Sequence, residues 1–243
     1  GRVQPARDVL DGRQTTRTEV YSVDHLHGML PLFDALYAGA AKAGIKAETM
    51  ISEFAPGQYE LTLHYRTDVM QAADDLIRLK RIVRAQARAH GVTACFMAKP
   101  MEDFAGSGMH FHVSMQGDGG NVFAGPGDAI LHALGGLRET MAESMLVFAP
   151  HANSWRRFAA QSYAPVSPSW GVNNRSVALR IPAGDPRARR IEHRPAGVDA
   201  NPYLVAATVL AGIRHGLTNR IDPGPETTGN GYDAAPDPAM PTD

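Results

Sequence analysis

Along the chain, stretches with helical spacing of apolar positions alternate with short stretches of period two. PLFDALYAGAAKA (31–43) has helical spacing, with Pro31 in the first turn and Gly44 as the stop. IKAETMISEF follows, then APGQ as a turn and YELTLHY, where Tyr59, Leu61 and Leu63 alternate with Glu60, Thr62 and His64. That alternation predicts a half-buried strand. Thr67 is expected to cap a helix reaching His90, with Val69, Ala72, Ala73, Leu76, Ile77, Leu79 and Val83 on one face and Gly91 at its end.

VTACFMA (92–98) is expected as a short apolar strand that buries Cys95, and MHFHVSM (109–115) as an alternating one. Residues 128–149 carry one helical pattern from Asp128, and SVALRIP forms a strand ending at Pro182. The final helix is expected from Asn201–Pro202 to Leu217, an N-cap followed by proline at the first helical position. Residues 1–20 and the Pro- and Gly-rich stretch beyond Asp222 are aperiodic and are expected as loop and extended chain. Strands slightly outnumber helices and several neighbours can pair as hairpins, which predicts an α+β fold over a doubly wound parallel one.

Composition narrows the function classes. The 243 residues hold 24 Lys+Arg against 25 Asp+Glu, a net charge of -1, which excludes a globally basic nucleic-acid binder. Apolar content of 44% argues against disorder. A single cysteine excludes a disulfide framework and a CxxC zinc site. No apolar stretch approaches the roughly 20 residues that span a bilayer, and the opening GRVQPARD lacks both a signal-peptide pattern and an initiator Met. The expectation is a cytoplasmic domain without membrane or nucleic-acid partners, cut from a longer protein.

Three clusters carry candidate chemistry. In GSGMHFHVS (106–114), period-two alternation puts His110, His112 and Ser114 on one strand face, and Gly106 and Gly108 allow close approach of a ligand. An exposed polar face is the alternative. In SEFAPGQYE (52–60), Glu53 and Glu60 flank a tight reversal. Such a pair suits a hard divalent cation, Mg²⁺ or Mn²⁺, unless both are simply solvated surface acids. In NNRSVALRIP and RARRIEHR, Arg175 and Arg180 flank a strand and Arg187, Arg189, Arg190 and Arg194 crowd around Glu192. Arginine forks bind carboxylate and phosphate; a solvated charged face or a nucleic-acid patch would look similar. Carboxylates, a histidine pair and gathered arginines together suit phosphoryl transfer.

EFAPGQYE, MAKPM, GSGMHFHVS, NSWRRF, NRSVALRIP, RRIEHR and DANPYL stand in the order seen in the glutamine synthetase family, and the resemblance runs from Tyr21 to the end of the chain. It implies a single catalytic domain over 1–243 with a curved, largely antiparallel sheet and flanking helices, guanidino-kinase-like in type. It also implies an ATP-dependent ligase in which ATP phosphorylates the glutamate side-chain carboxylate and an amine displaces the phosphate. Carried over by motif, Glu53 and Glu60 would bind one divalent metal, His110 and Glu192 a second. His112, Ser114, Arg180 and Arg187 would meet the nucleotide. Arg175 would lie near the transferring phosphoryl group, Arg157 and Arg194 would hold substrate carboxylates, and Gly106 would touch the amino acid.

The family's E-x-E metal strand and its small N-terminal β-grasp domain have no counterpart here, so an incomplete catalytic domain is expected, with homo-oligomeric rings formed by the whole protein. Family members that use ammonia carry a glutamate before an Ala-Pro pair; here Tyr163 precedes Ala164-Pro165. Ala105 stands before Gly106 where many members place asparagine. Both departures point to a ligase that joins glutamate to a primary amine or polyamine. The alternatives are glutamine synthetase proper and a catalytically silent relative.

Overall fold

The computed structural model describes residues 3–14 and 16–233. Its chain divides into two compact units, one of residues 1–96 with 100–105 and one of residues 97–99 with 106–243.

In the first unit, helices α1 (Val23–Gly28) and α2 (Leu30–Lys42) lead into strands β1 (Ala47–Ser52) and β2 (Tyr59–Leu63), followed by helix α3 (Val69–Ala89). Helix α1 falls beyond the aperiodic opening; Ser22 caps it, its hydroxyl accepting from the His25 amide. The α2 helix turns back through Gly44 at φ +70°, and the Ile45 amide closes onto the Ala40 carbonyl at 2.9 Å. The cap of α3 is Asp68, one residue after the expected Thr67; its Oδ1 accepts from the Met70 amide at 2.8 Å and the Gln71 amide at 3.3 Å. Met29, Leu32, Phe33 and Leu36 form the core beneath this hairpin, packed by Met50, Tyr59, Ile82 and Val83. Of the expected apolar face of α3, Ala73 and Leu79 are buried, while Ile77 is exposed.

The segment 92–98 belongs to no strand, and Cys95 is exposed. The expectation of a buried strand fails for a physical reason. Side chains alternate, Phe96 turning inward beneath the Lys80 ammonium and the Arg84 guanidinium, so odd positions such as Cys95 face solvent.

The second unit is built on strands β3 (Phe111–Val113), β4 (Gln116–Gly117) and β5 (Gly120–Asn121), helices α4 (Ala129–Glu139), α5 (Met141–Phe148) and α6 (Ala152–Trp155), strands β6 (Trp170–Val172), β7 (Leu179–Ile181) and β8 (Ile191–His193), and helix α7 (Pro202–Asn219). Strands β4 and β5 form a hairpin. The others form an open sheet in the order β3-β8-β7-β6, antiparallel except for the parallel β6–β7 pair. The fold class is therefore α+β with a largely antiparallel sheet. The helical pattern of 128–149 breaks at Thr140, whose hydroxyl bonds back to the Gly136 carbonyl at 2.9 Å. Helix α7 starts as its Asn-Pro pair predicts, with Asn201 Oδ1 accepting from the Tyr203 amide at 3.0 Å, and ends at Arg220 in the left-handed region. Helices α4 and α7 meet backbone to backbone where Gly136 lies against Gly212 and Gly216. Leu134, Leu137, Met141, Met145, Phe148, Val205, Val209 and Ile213 fill the core around them. No helix among the described residues is long and apolar enough to cross a membrane.

Candidate active site

In the first unit, Ile51 pairs with Glu60 and the ladder continues through the Glu53 amide to the Gln58 carbonyl at 2.9 Å. Glu53, two residues after Ile51, therefore shares a sheet face with Glu60, as the tight reversal predicts. The reversal itself is held by Gln58, whose amide donates to the Ala55 carbonyl and whose Oε1 accepts from the Ala55 amide.

In the second unit, register aligns the chemistry. His112 is opposite Glu192 and Glu192 is opposite Arg180, so the three stand in one row across β3, β8 and β7. Period two adds His110 and Ser114 on the first strand, and Arg190 and Arg194 on the second. The reverse face carries Leu179, Ile181, Ile191 and His193, all buried. The sheet thus separates a polar face from a core face.

Glu192 is the centre of the polar face, only 2% exposed. Its Oε2 accepts from Arg180 Nη1 at 2.6 Å and its Oε1 from Arg194 Nη1 at 2.5 Å, while His110 Nδ1 lies 3.5 Å from Oε1. Burial would raise this carboxyl, but His110 in its protonated form, Arg194, protonated His112 and Arg180 more than offset it and hold it at about 2. Burial first, and then the Arg194 charge, push His110 well below the ordinary histidine range, so its imidazole is neutral and has a lone pair to offer. Burial also lowers His112, whose Nδ1 accepts from Arg190 Nε at 2.9 Å.

The remaining expected site residues divide into those that join this face and those that do not. Arg157 is buried and donates to the Pro195 carbonyl at 2.6 Å and the Arg194 carbonyl at 2.8 Å, fixing the backbone that carries Arg194. Gly106 must be small, since a Cβ there would sit 2.6 Å from the Ala98 carbonyl and 2.8 Å from Arg157 Cγ. Gly108 lies against Arg157 Nη2 and His110 Nε2. Arg194 Nη2 donates to the Tyr163 carbonyl at 3.0 Å, which ties the Tyr163 loop to the site. Tyr163 has φ +59° and is 46% exposed. Ser114 is exposed just beyond β3, and Arg175 is exposed in the turn between β6 and β7. Arg187 sits apart, paired with Asp185 at 2.7 Å on an exposed turn. Arg189 contributes its carbonyl to Asn121. Of the arginines expected to crowd Glu192, only those an even number of residues away share its face.

The sequence profile described as the catalytic domain of glutamine synthetase matches residues 1–243. The chain belongs to the glutamine synthetase family. It is 45% identical over 225 residues to gamma-glutamylputrescine synthetase PuuA of Escherichia coli (strain K12), covering 90% of this chain and 48% of that protein. It is 39% identical over 207 residues to glutamate–isopropylamine ligase of a Pseudomonas species, covering 82% of this chain and 45% of that protein. The solved structure of the GmaS/ADP complex superposes with a TM-score of 0.82 at 30% identity, covering 95% of this chain and 55% of that one. The chain therefore spans about half the length of the relatives it matches.

The glutamine synthetase catalytic-domain fold accounts for the motif order, but the roles of three residues were not legible in the motifs, and one of them, Tyr232, lies outside every motif. Asn173, at φ +51°, accepts from Arg180 Nη2 at 2.8 Å and orients it. Arg190 stood in the arginine run, but its specific role of holding His112 appears only through strand pairing. Tyr232 donates to the Ala164 carbonyl at 3.1 Å from far along the chain. Among the described residues no three His, Cys, Asp or Glu side chains converge as a metal cage; the donors come in pairs.

Proposed function

We propose that this chain is the catalytic domain of an ATP-dependent ligase that joins the glutamate γ-carboxylate to a primary amine or polyamine. The observation that carries the reading is the polar row His112–Glu192–Arg180, with neutral His110 and buried Arg194 on the same face. Support comes from relatives whose own names specify putrescine and isopropylamine as the amine.

The donor sets fit hard divalent cations. Glu53 and Glu60 offer carboxylate oxygens on one face, and His110 offers a neutral nitrogen beside Glu192, whose oxygens keep lone pairs beyond their arginine bonds. Each pair is proposed to hold one Mg²⁺ or Mn²⁺. When bound, the metals would neutralise phosphate oxygens of ATP during transfer.

The residues of the chain supply the rest. Arg180, oriented by Asn173 and Glu192, presents a fixed fork to nucleotide phosphate. His112 and Ser114 line the same face for the nucleotide, and Arg187, paired with Asp185 on its exposed turn, is proposed as a further phosphate contact. Arg194, braced from behind by Arg157, holds a substrate carboxylate. Arg175 stabilises charge on the transferring phosphoryl group, so its loss lowers turnover more than it weakens binding. A glutamate oxygen attacks the γ-phosphorus and ADP leaves; the amine nitrogen then attacks the acyl carbon, phosphate leaves and the nitrogen gives up a proton. With Tyr163 where ammonia-using members carry an acid, the amine meets an aromatic ring, which suits an alkylamine better than ammonium.

The test supplies the full-length protein with glutamate, ATP and Mg²⁺ and compares phosphate release with putrescine, ethylamine and ammonium. Release with the organic amines is expected; release with ammonium alone overturns the reading.

A further inference from the structure

Past α7 the chain does not leave the second unit but crosses it as a strap. The Trp170 indole donates to the Gly224 carbonyl at 3.0 Å, the Val172 amide to Glu226 Oε1 at 2.8 Å, and the Thr227 amide to the Trp170 carbonyl at 2.9 Å. The Asn174 side chain then donates to the Thr227 and Gly229 carbonyls, and the Gly231 amide to the Ser176 hydroxyl at 2.7 Å. These bonds hold β6 and the turn that carries Arg175. The tyrosine that follows does something different. Tyr232, half-buried, donates its hydroxyl to the Ala164 carbonyl at 3.1 Å, and the Tyr163 backbone lies against the same phenol oxygen.

The loop it reaches needs external support. Gln161 and Tyr163 both occupy the left-handed backbone region, at φ +60° and +59°, which costs on the order of 1 kcal/mol for each side-chain-bearing residue. The loop's own bonds centre on Ser162: its amide and Oγ both donate to the Ala159 carbonyl, at 3.2 and 2.6 Å, its Oγ also reaches the Arg157 carbonyl at 3.1 Å, and the Ala164 amide donates to Ser162 Oγ at 3.3 Å. Two anchors come from elsewhere, Arg194 on the Tyr163 carbonyl and Tyr232 on the Ala164 carbonyl. Of these, Arg194 already serves Glu192, so Tyr232 is the anchor whose other bonds lie outside the polar face.

We propose that Tyr232 is a positioning residue for amine selection: its hydroxyl fixes the 159–165 backbone in the conformation that holds Tyr163 on the loop tied to Arg194. The proposal rests on the amine-ligase reading for its effect on the reaction, but not for its effect on the loop. Removing the hydroxyl leaves the ring packed and frees one carbonyl, so the loop samples other conformations while the arginine face stays intact.

The experiment compares wild type, Tyr232→Phe and Glu226→Ala in the full-length protein. Glu226→Ala loosens the same strap at β6 without touching the loop. In hydrogen–deuterium exchange, Tyr232→Phe is expected to speed exchange of the 159–165 amides about fivefold, the scale of one neutral hydrogen bond, with β7 and α7 unchanged. In steady-state assays it is expected to raise the KM for putrescine about fivefold, with the KM values for glutamate and ATP and the kcat moving less than about twofold. Glu226→Ala should show neither effect. Unchanged 159–165 exchange in Tyr232→Phe overturns the proposal, as does a matching response in Glu226→Ala, or a common rise in all three KM values with a fallen Tm. If wild type gives no amine-dependent phosphate release, the functional reading fails while the exchange result still decides the role of Tyr232.

Discussion

Two guanidiniums and an imidazole close on the Glu192 carboxylate, so removing its charge leaves buried cations facing one another. Breaking a buried ion pair from one side costs about 3 kcal/mol, and Glu192→Gln is expected to lose that much in urea unfolding along with nearly all turnover. Its pH signature has a fixed sign. A carboxyl held at about 2 against an ordinary 4.5 stabilises the fold above pH 4.5 and loses that contribution as pH falls towards 2. His193, on the reverse face against the Phe148 ring, behaves differently. Burial lowers its pKa to about 3, so the fold keeps it neutral while the unfolded chain takes a proton below 6.5. Stability from this residue is complete above pH 6.5 and declines below it, by about 3 kcal/mol at pH 4. Urea midpoints of His193→Leu should therefore fall less steeply than wild type between pH 6.5 and 4; parallel curves would show that another group dominates.

Between elements, the tightest constraint is the crossing of α4 and α7. A Cβ on Gly136 would run into the Gly212 carbonyl oxygen and lie 2.5 Å from Gly216 Cα. Gly136→Ala gains about 1 kcal/mol of helix propensity but must push two backbones apart, and a net loss of about 2 kcal/mol is expected in urea unfolding. This contact was invisible in the sequence, which shows two helical patterns and nothing of which faces meet. The same limit explains the other differences. Thr140 interrupts a continuous apolar pattern because its hydroxyl takes a backbone carbonyl, and residues 92–98 look like a strand because a short apolar run is visible while a ladder partner is not. What period two can reveal, it revealed. His110, His112 and Ser114 share a face, and Glu53 and Glu60 share another. That Arg180 and Glu192 stand in the same row as His112 needed strand order, and the anchors Asn173, Arg157 and Tyr232 needed the closed fold.

For the molecule as a whole, charge balance conceals local imbalance. The sequence carries a net -1, yet the polar face sets Arg180, Arg190 and Arg194 against Glu192 and a neutral His110. A face of that kind suits anions, while in the proposed reaction amine selection would fall to a loop with an uncharged tyrosine. Tyr163→Glu in the full-length protein is expected to raise the ratio of ammonium to putrescine turnover about tenfold, measured as relative kcat/KM. An unchanged ratio would place amine selection elsewhere.

The sheet order also governs when this chemistry can exist. Arg190 and His112, bonded across β8 and β3, are 78 residues apart in the chain, and the helices α4, α5 and α6 lie between them. Contacts so distant form late, since loop closure has to precede any gain from them. A ribosome-bound chain that has released β3 and all three helices still has an unassembled polar face. The His110–Glu192 pair is therefore a marker of completed folding: refolding followed by a probe on that face should lag the recovery of helix signal, with the site the last part of the domain to mature.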